Sequence, residues 1–149
     1  MRGAQIIRRS LEIARLSAEV SERVNAYAKR PRLKTISAST REYVYASYME
    51  AWRRKVERIG NLNYPDEAKK HKIYGNLMLD VALNPDGSLR DVKLLRSSGH
   101  KILDDAAIRI VRLGAPYSPF SKEMREQTDI LHIIRTWQFL STNQLFSSG

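Results

Sequence analysis

Few side chains in this sequence can carry out chemistry, and their spacing matches no catalytic or metal-binding motif. The three histidines, His71, His100 and His132, lie far apart, and none belongs to an H-E-x-x-H zinc pattern. The sequence has neither a G-x-S-x-G nucleophile motif nor a glycine-rich phosphate loop. It contains no cysteine, which excludes disulfide bonds and thiolate zinc sites. We therefore expect a protein that is not an enzyme and has no metal or other cofactor, and we interpret His132 as a surface or partner contact.

Three aspartates come closest to forming a metal-binding cluster. Asp80, Asp86 and Asp91 lie near one another in the sequence, but Pro85 and Gly87 mark the segment between them as a tight turn. Their spacing also differs from that of an EF-hand calcium loop. This segment is therefore interpreted as the turn of a hairpin.

The backbone of one stretch near the C-terminus is a stronger candidate for a binding site. Residues Ile130 to Leu140 are rich in β-branched and aromatic residues and contain no Gly or Pro, which predicts a long strand. Alternate residues place a nearly continuous apolar set on one face, namely Leu131, Ile133, Arg135, Trp137 and Phe139. Because this is the last structured segment, we expect it to join the sheet from outside and to form an edge. An edge strand offers unpaired backbone donors and acceptors, to which an extended peptide of another protein can add.

The preceding residues predict the elements that position this strand. A short helix is expected from Pro65 to about His71, followed by two strands joined by the turn Asn84-Pro85-Asp86-Gly87. Apolar residues alternate in both strands, with Leu77, Leu79, Val81 and Leu83 facing inward in the first, and Val92 and Leu94 in the second. A helix from His100 to Leu113 ends at Gly114, and a proline-containing loop leads to the last strand. We expect an α+β fold, with a three-stranded antiparallel sheet in the order two, one, three and two helices packed on one face.

Two further helices are predicted ahead of this domain. From Gln5 to Arg30, seven positions alternate between spacings of four and three, five of them apolar and two of them Ser10 and Ser17, which predicts a helix with a possible coiled-coil seam. Residues Lys29 to Lys34 predict a short basic linker. From Ser37 to Gly60 the pattern predicts an amphipathic helix that begins with a capping box of Ser39 and Glu42. We divide the chain into a basic helix and linker (1–36), an amphipathic helix (37–62), a domain (63–142) and a flexible tail (143–149).

The net charge of +10 is concentrated in the first part of the chain. Residues 1–63 contain 14 Lys or Arg and 6 Asp or Glu, whereas residues 64–149 contain 12 and 10. A basic surface can attract nucleic acid or another anionic polymer, and we keep this binding function as one alternative. A solvated helix face explains the same charges, so nucleic acid is not our expected partner. No apolar run approaches the roughly 20 residues that span a bilayer.

Several segments, in this order, resemble the C-terminal domain of TonB-type energy transducers. The resemblance covers about residues 63–141 and includes Tyr64-Pro65-Asp66-Glu67-Ala68, Asn84-Pro85-Asp86-Gly87-Ser88, Arg96-Ser97-Ser98-Gly99-His100, Leu103-Asp104-Asp105-Ala106-Ala107, Ala115-Pro116-Tyr117-Ser118-Pro119-Phe120 and Arg135-Thr136-Trp137-Gln138-Phe139. It implies a periplasmic domain that binds TonB-dependent outer-membrane receptors. It also implies that the domain delivers proton-motive-force energy from the inner-membrane proteins ExbB and ExbD, for uptake of siderophores or vitamins.

The resemblance also implies which residues contact the receptor. In this family an extended receptor segment, the TonB box, pairs with the last strand by β-augmentation. The contact role is carried onto Ile130, His132, Ile134, Thr136 and Gln138. The segment just before the Tyr-Pro pair also contributes, which here comprises Asn61, Leu62, Asn63 and Tyr64. A Gln is best known at the position of Asn61.

The chain departs from the family in its N-terminal part. Members normally begin with a membrane-spanning anchor and a proline-rich spacer, and neither is recognisable here. We therefore expect an excised soluble part of a longer protein that is anchored in the inner membrane, and the alternative is a soluble relative that cannot transmit force. A homodimer, formed by strand exchange or by pairing of the N-terminal helix, is a further expectation. A TolA-like envelope adaptor is the second alternative function.

Overall fold

A computed structural model describes residues 2–148. The chain divides into two compact units, with the boundary in the sequence between Pro31 and Arg32. The first unit contains helix α1 (Arg2–Lys29), as the heptad-like spacing predicted. Its large apolar side chains are exposed, namely Ile6, Ile7, Leu11, Ile13, Leu16, Val20, Val24 and Tyr27. Among residues 2–148, no helix combines the length and the apolar character needed to cross a bilayer.

The second unit is an α+β domain built on a mixed sheet. In chain order its elements are β1 (Leu33–Ile36), α2 (Tyr43–Leu62), α3 (Asp66–Lys70), β2 (Gly75–Leu83), β3 (Leu89–Arg96), α4 (Lys101–Gly114), α5 (Lys122–Gln127), β4 (Ile130–Phe139) and β5 (Leu145–Ser148). The sheet order is β1-β4-β2-β3, and β5 also pairs with β4. The predicted fold class and the order of the three long strands are confirmed. Within residues 32–148, however, the sheet has five strands, and β1 runs parallel to β4.

The hydrophobic core lies between one face of the sheet and the helices. The inward residues predicted for β2 are fully buried, and so are Leu131, Ile133, Trp137 and Phe139 of β4. Helix α2 contributes Tyr45, Met49, Trp52 and Val56, and α4 contributes Leu103, Ala106, Ala107, Ile110 and Val111. Period-two burial on the strands and period-3.6 burial on the helices therefore converge on one core.

The predicted hairpin turn between β2 and β3 is present. The amide of Gly87 donates to the carbonyl of Asn84 at 2.9 Å, and Gly87 has a φ of 87°. A Cβ on Gly87 would overlap the carbonyl of Tyr117, so this position requires glycine for both conformation and space. Leu94 pairs with Leu79 and so lies on the predicted inward face, although it is not buried. Leu94 is 39% exposed because β3 is the outermost strand, and the helices do not fully cover it.

The start of α2 differs from the prediction. The helix begins at Tyr43, and Glu42 at its N-cap makes no capping hydrogen bond with its side chain. Ser39 lies in a turn in which the hydroxyl of Thr40 accepts from the amide of Ser37 at 2.9 Å. The predicted capping box is therefore wrong, because these hydroxyl groups stabilise a turn instead.

Three short elements were not predicted. Residues placed in the basic linker form β1, and the segment Lys122–Gln127 after the proline-containing loop forms α5, capped by the hydroxyl of Ser121. The segment expected to be a flexible tail contains β5. Elements of four to six residues contain too few turns or alternations for periodicity to identify them.

Candidate functional site

Strand β4 has neighbours on both of its sides. On one side it pairs with β2 along its length, from Leu83 opposite Leu131 to Gly75 opposite Phe139. On the other side, β1 pairs with Ile130–Ile133 and β5 pairs with Thr136–Phe139. The prediction of a free edge is therefore wrong. The physical reason is that two short strands from opposite ends of the domain fill that side, leaving Ile134 and Arg135 without a strand partner there.

The outer side of β5 is hydrogen bonded to a helix. The amide of Leu145 donates to Oδ1 of Asn61 at 2.9 Å, and the amide of Ser147 donates to Oε1 of Glu57 at 3.0 Å. Glu57 and Asn61 lie one turn apart on α2, a rise of about 6 Å. Alternate amides of a strand are about 6.7 Å apart, so the two acceptors match two successive outward-facing amides. We call the space between Thr136–Phe139 and this face of α2 the β5 slot.

Charged side chains also stabilise the β5 slot. Nη2 of Arg135 donates to the carbonyl of Ser147 at 3.0 Å. Burial lowers the pKa of Arg135, and Arg53 lowers it further, while the carboxylates of Glu50 and Glu57 oppose this shift. Arg53 forms an ion pair with Glu57 at 2.8 Å. Glu57 is therefore held in place by a cation while it accepts the strand amide.

The side chains of β5 alternate between buried and exposed positions. Leu145 is 3% exposed, and its Cδ2 lies where a Cβ on Gly60 would be. Ser147 is fully buried opposite Trp137, whereas Phe146 is 43% exposed. The β5 slot therefore accommodates one aliphatic side chain and one small side chain, and leaves the residue between them at the surface.

Strand β1 is anchored differently, by an ion pair at its start. The guanidinium of Arg32 contacts both carboxylate oxygens of Asp129, at 3.1 and 3.0 Å, and the amide of Arg32 donates to Asp129 at 2.7 Å. These hydrogen bonds to Arg32 lower the pKa of Asp129 to about 2. At the other end of β1, Ile36 is buried in the core. Nearby, the hydroxyls of Tyr45 and Thr128 are hydrogen bonded at 2.5 Å.

Comparison with protein-family models shows what kind of domain this is. Residues 60–139 match the family described as Gram-negative bacterial TonB protein C-terminal, a match that covers more than half of the chain. The chain belongs to this family. Family membership makes this region the C-terminal domain of a TonB-type transducer, a protein-interaction domain of the periplasm that acts with outer-membrane receptors. None of the curated proteins matches the chain.

Two solved structures of TonB C-terminal domains are similar to this chain. Both are NMR solution structures from Helicobacter pylori. The first is 22% identical, with a TM-score of 0.49, and the match covers 62% of this chain and 79% of that one. The second is 20% identical, with a TM-score of 0.49, and the match covers 68% of this chain and 97% of that one.

The TonB domain places the predicted contact residues of β4 in two groups. Thr136 and Gln138 lie opposite β5, at the β5 slot. Ile130 and His132 lie opposite β1, and Nδ1 of His132 is 2.9 Å from Asp80 on the neighbouring strand. Ile134 lies in the gap between them.

The predicted contact residues before the Tyr-Pro pair also lie in different environments. Asn61 faces the β5 slot, and Leu62 is 78% exposed. Asn63 ends α2, where its side-chain amide donates to the carbonyl of Ile59 at 2.8 Å. Tyr64 is buried, with its ring 5.5 Å from that of Phe139. Of these four residues, Asn61 is the one whose side chain accepts a hydrogen bond from the backbone of β5.

Sequence reasoning did not identify Glu57, Gly60 or Arg135 as site residues. Arg135 carried a usable signal, since a charged residue in an otherwise apolar inward register requires a buried partner. Glu57 and Gly60 carried none, because a glutamate on an amphipathic helix and a glycine near its end have ordinary explanations.

Proposed function

We propose that this chain is the receptor-binding part of a TonB-type energy transducer. An extended segment of an outer-membrane receptor, the TonB box, adds to β4 by β-augmentation and takes the position that β5 occupies. The observation that supports this proposal best is that the β5 slot offers hydrogen-bond partners to the backbone on both sides of a bound strand. Strand β4 pairs with one edge, and Asn61 and Glu57 accept from the other.

The β5 position is a better place for the receptor segment than the β1 position. Asn61, Thr136 and Gln138, which the family resemblance singled out independently, all border β5. Strand β1 follows the ion pair of Arg32 with Asp129, buries Ile36 in the core and is joined to α2 by the turn at residues 37–42. Strand β5 follows β4 through a tight turn, in which the amide of Leu140 donates to the carbonyl of Gln144 at 2.8 Å. Opening the hairpin there withdraws Leu145 from the core, whereas the other core residues belong to elements that stay in place.

A receptor segment must bind β4 tightly enough to displace β5. A strand tethered to β4 by a short turn competes at an effective concentration in the millimolar range. Main-chain hydrogen bonds along the sheet supply affinity that depends little on sequence. The receptor segment would then carry force, generated by ExbB and ExbD through a membrane anchor, into the receptor during siderophore or vitamin uptake.

Titration of the full chain with a synthetic TonB-box peptide, followed by backbone NMR, tests this proposal. We expect shifts at Thr136, Gln138 and the side-chain amide of Asn61. A peptide with Pro at alternate positions is the matched control, because it lacks the outward donors and should bind at least tenfold more weakly. Shifts confined to α1, to the β3 edge or to the β1 side of β4 would contradict the proposed site.

A further inference from the structure

We propose that the β5 slot prefers bound segments with a particular pattern of three successive side chains. The first is a branched aliphatic residue, the second can be any residue, and the third is a small residue. This inference rests on the proposed function and adds a sequence preference to it. It follows from how the slot holds Leu145, Phe146 and Ser147.

The first position is shaped by a glycine of α2. Leu145 is almost completely buried, and it shares the inner face of the sheet with its cross-strand partner Phe139. A Cβ built on Gly60 would overlap Cδ2 of Leu145 and would lie 3.4 Å from Cδ1 of Ile110. The pocket therefore exists because residue 60 has no side chain, and its volume matches a branched aliphatic group. An alanine in this pocket would leave a cavity.

The third position admits only a small side chain. Ser147 is fully buried opposite Trp137, whose ring packs against that of Trp52 at 6.2 Å between centroids. The hydroxyl of Ser147 has no hydrogen-bond partner in the described residues. The site therefore requires small size and not a hydroxyl group, so alanine serves as well as serine. A larger residue would have to displace the indole rings.

The remaining features of the preference come from the backbone. Amides at the first and third positions donate to Asn61 and Glu57, so neither position accepts proline in a guest that runs as β5 does. The middle side chain is half exposed and contributes little selection. Glu57 is already paired with Arg53, so it accepts an amide without requiring a cation from the guest.

Peptides tested on a weakened full chain can measure this preference. The variant Leu145→Ala keeps the walls of the slot but removes the side chain that holds β5 in place. The probe is the synthetic peptide Asn-Gln-Leu-Phe-Ser-Ser, which copies residues 143–148, and binding is followed by NMR shifts of Thr136 and Gln138. We expect the peptide with Ala in place of Leu to bind about 30-fold more weakly. Replacing the first Ser of the probe by Ala should change affinity less than twofold, and replacing it by Leu should abolish binding.

Adding Gly60→Ala to the same chain should abolish the preference for Leu at the first position. The new methyl group should fill the pocket, so that the Leu probe binds no better than the Ala probe. Gly3→Ala is the matched control, because Gly3 is also a helical glycine but a Cβ there meets nothing within 4 Å. This control should leave the 30-fold ratio unchanged.

The outcomes separate this inference from the proposed function. Equal affinities of the Leu and Ala probes, no binding by the Leu probe, or an unchanged ratio in the Gly60→Ala chain each overturn the side-chain preference. The proposed function survives any of these results if a TonB-box peptide still shifts Thr136 and Gln138. It fails if that peptide binds elsewhere, whatever the probes do.

Discussion

Substitution of Asn61 by Ala should loosen β5 without unfolding the domain. The change removes the acceptor of the Leu145 amide and leaves that amide without a protein partner. A buried unsatisfied donor costs about 1–3 kcal/mol, and this contact is only partly buried, so water should reduce the cost to about 1 kcal/mol. At 25 °C, 1 kcal/mol corresponds to about a fivefold change in an equilibrium constant.

Native-state hydrogen exchange measures this loosening residue by residue. Protection of the Leu145 and Ser147 amides should fall about fivefold in the Asn61→Ala variant, while protection of the Val81 amide in the centre of the sheet stays the same. Asn63→Ala is the matched control, because that side chain donates to the carbonyl of Ile59 in its own helix. Unchanged protection at Leu145, or an equal loss throughout the sheet, would refute the assignment of Asn61 to the slot.

The remaining predictions concern β1, the third position of the β5 slot and the turn between β2 and β3. Because the folded-state pKa of Asp129 is depressed to about 2, its ion pair should stabilise β1 fully above about pH 4 and lose this effect as the pH falls toward 2. The amide chemical shifts of Leu33–Ile36 should change over this pH range. An identical titration in the Asp129→Asn variant would contradict this prediction. Ser147→Ala should leave the free energy of unfolding in urea unchanged or slightly higher, whereas Ser147→Leu should lower it by about 1–3 kcal/mol; the reverse order would contradict the packing described. Gly87→Ala should lower the unfolding free energy by more than 1 kcal/mol, because its φ is positive and the Tyr117 carbonyl blocks a Cβ; a neutral effect in the same urea assay would contradict this.

The long elements could be predicted because their patterns are physically redundant. In β2, four alternating apolar residues and the following Asn-Pro-Asp-Gly turn all indicate the same hairpin. The inner face of β4 was predictable for the same reason, since a one-residue change of register would expose Trp137 and Phe139. Fold class and strand order followed from these elements.

The edge was predicted wrongly because its covering strands have no local signal. Strand β1 contains Lys34 and Thr35 between two apolar residues and begins two residues after Pro31, which suggested a linker. Strand β5 has the sequence Leu-Phe-Ser-Ser, whose composition is equally typical of a tail. Both strands are stabilised by contacts distant in sequence, from Asp129 to Arg32 just before β1 and from Asn61 to β5. Such contacts are tertiary, and no sequence window contains them.

Asn61 shows how the two kinds of inference complement each other. The family resemblance singled out this position without giving it a physical role. The structure gives it one, as an acceptor for the outer edge of a strand on β4. Glu57 is the second acceptor on α2, and only its spacing from Asn61 along the helix made this role recognisable.

The central claim is that a receptor segment and β5 compete for the same side of β4. Isotope-filtered NOE spectra of the full chain saturated with a labelled TonB-box peptide test it most directly. We predict cross-strand NOEs from peptide amides to Thr136, Gln138 and Phe139, together with loss of the NOEs between Phe139 and Leu145. Persistence of the Phe139–Leu145 NOEs at saturation, with the peptide contacting another part of the chain, would contradict the claim.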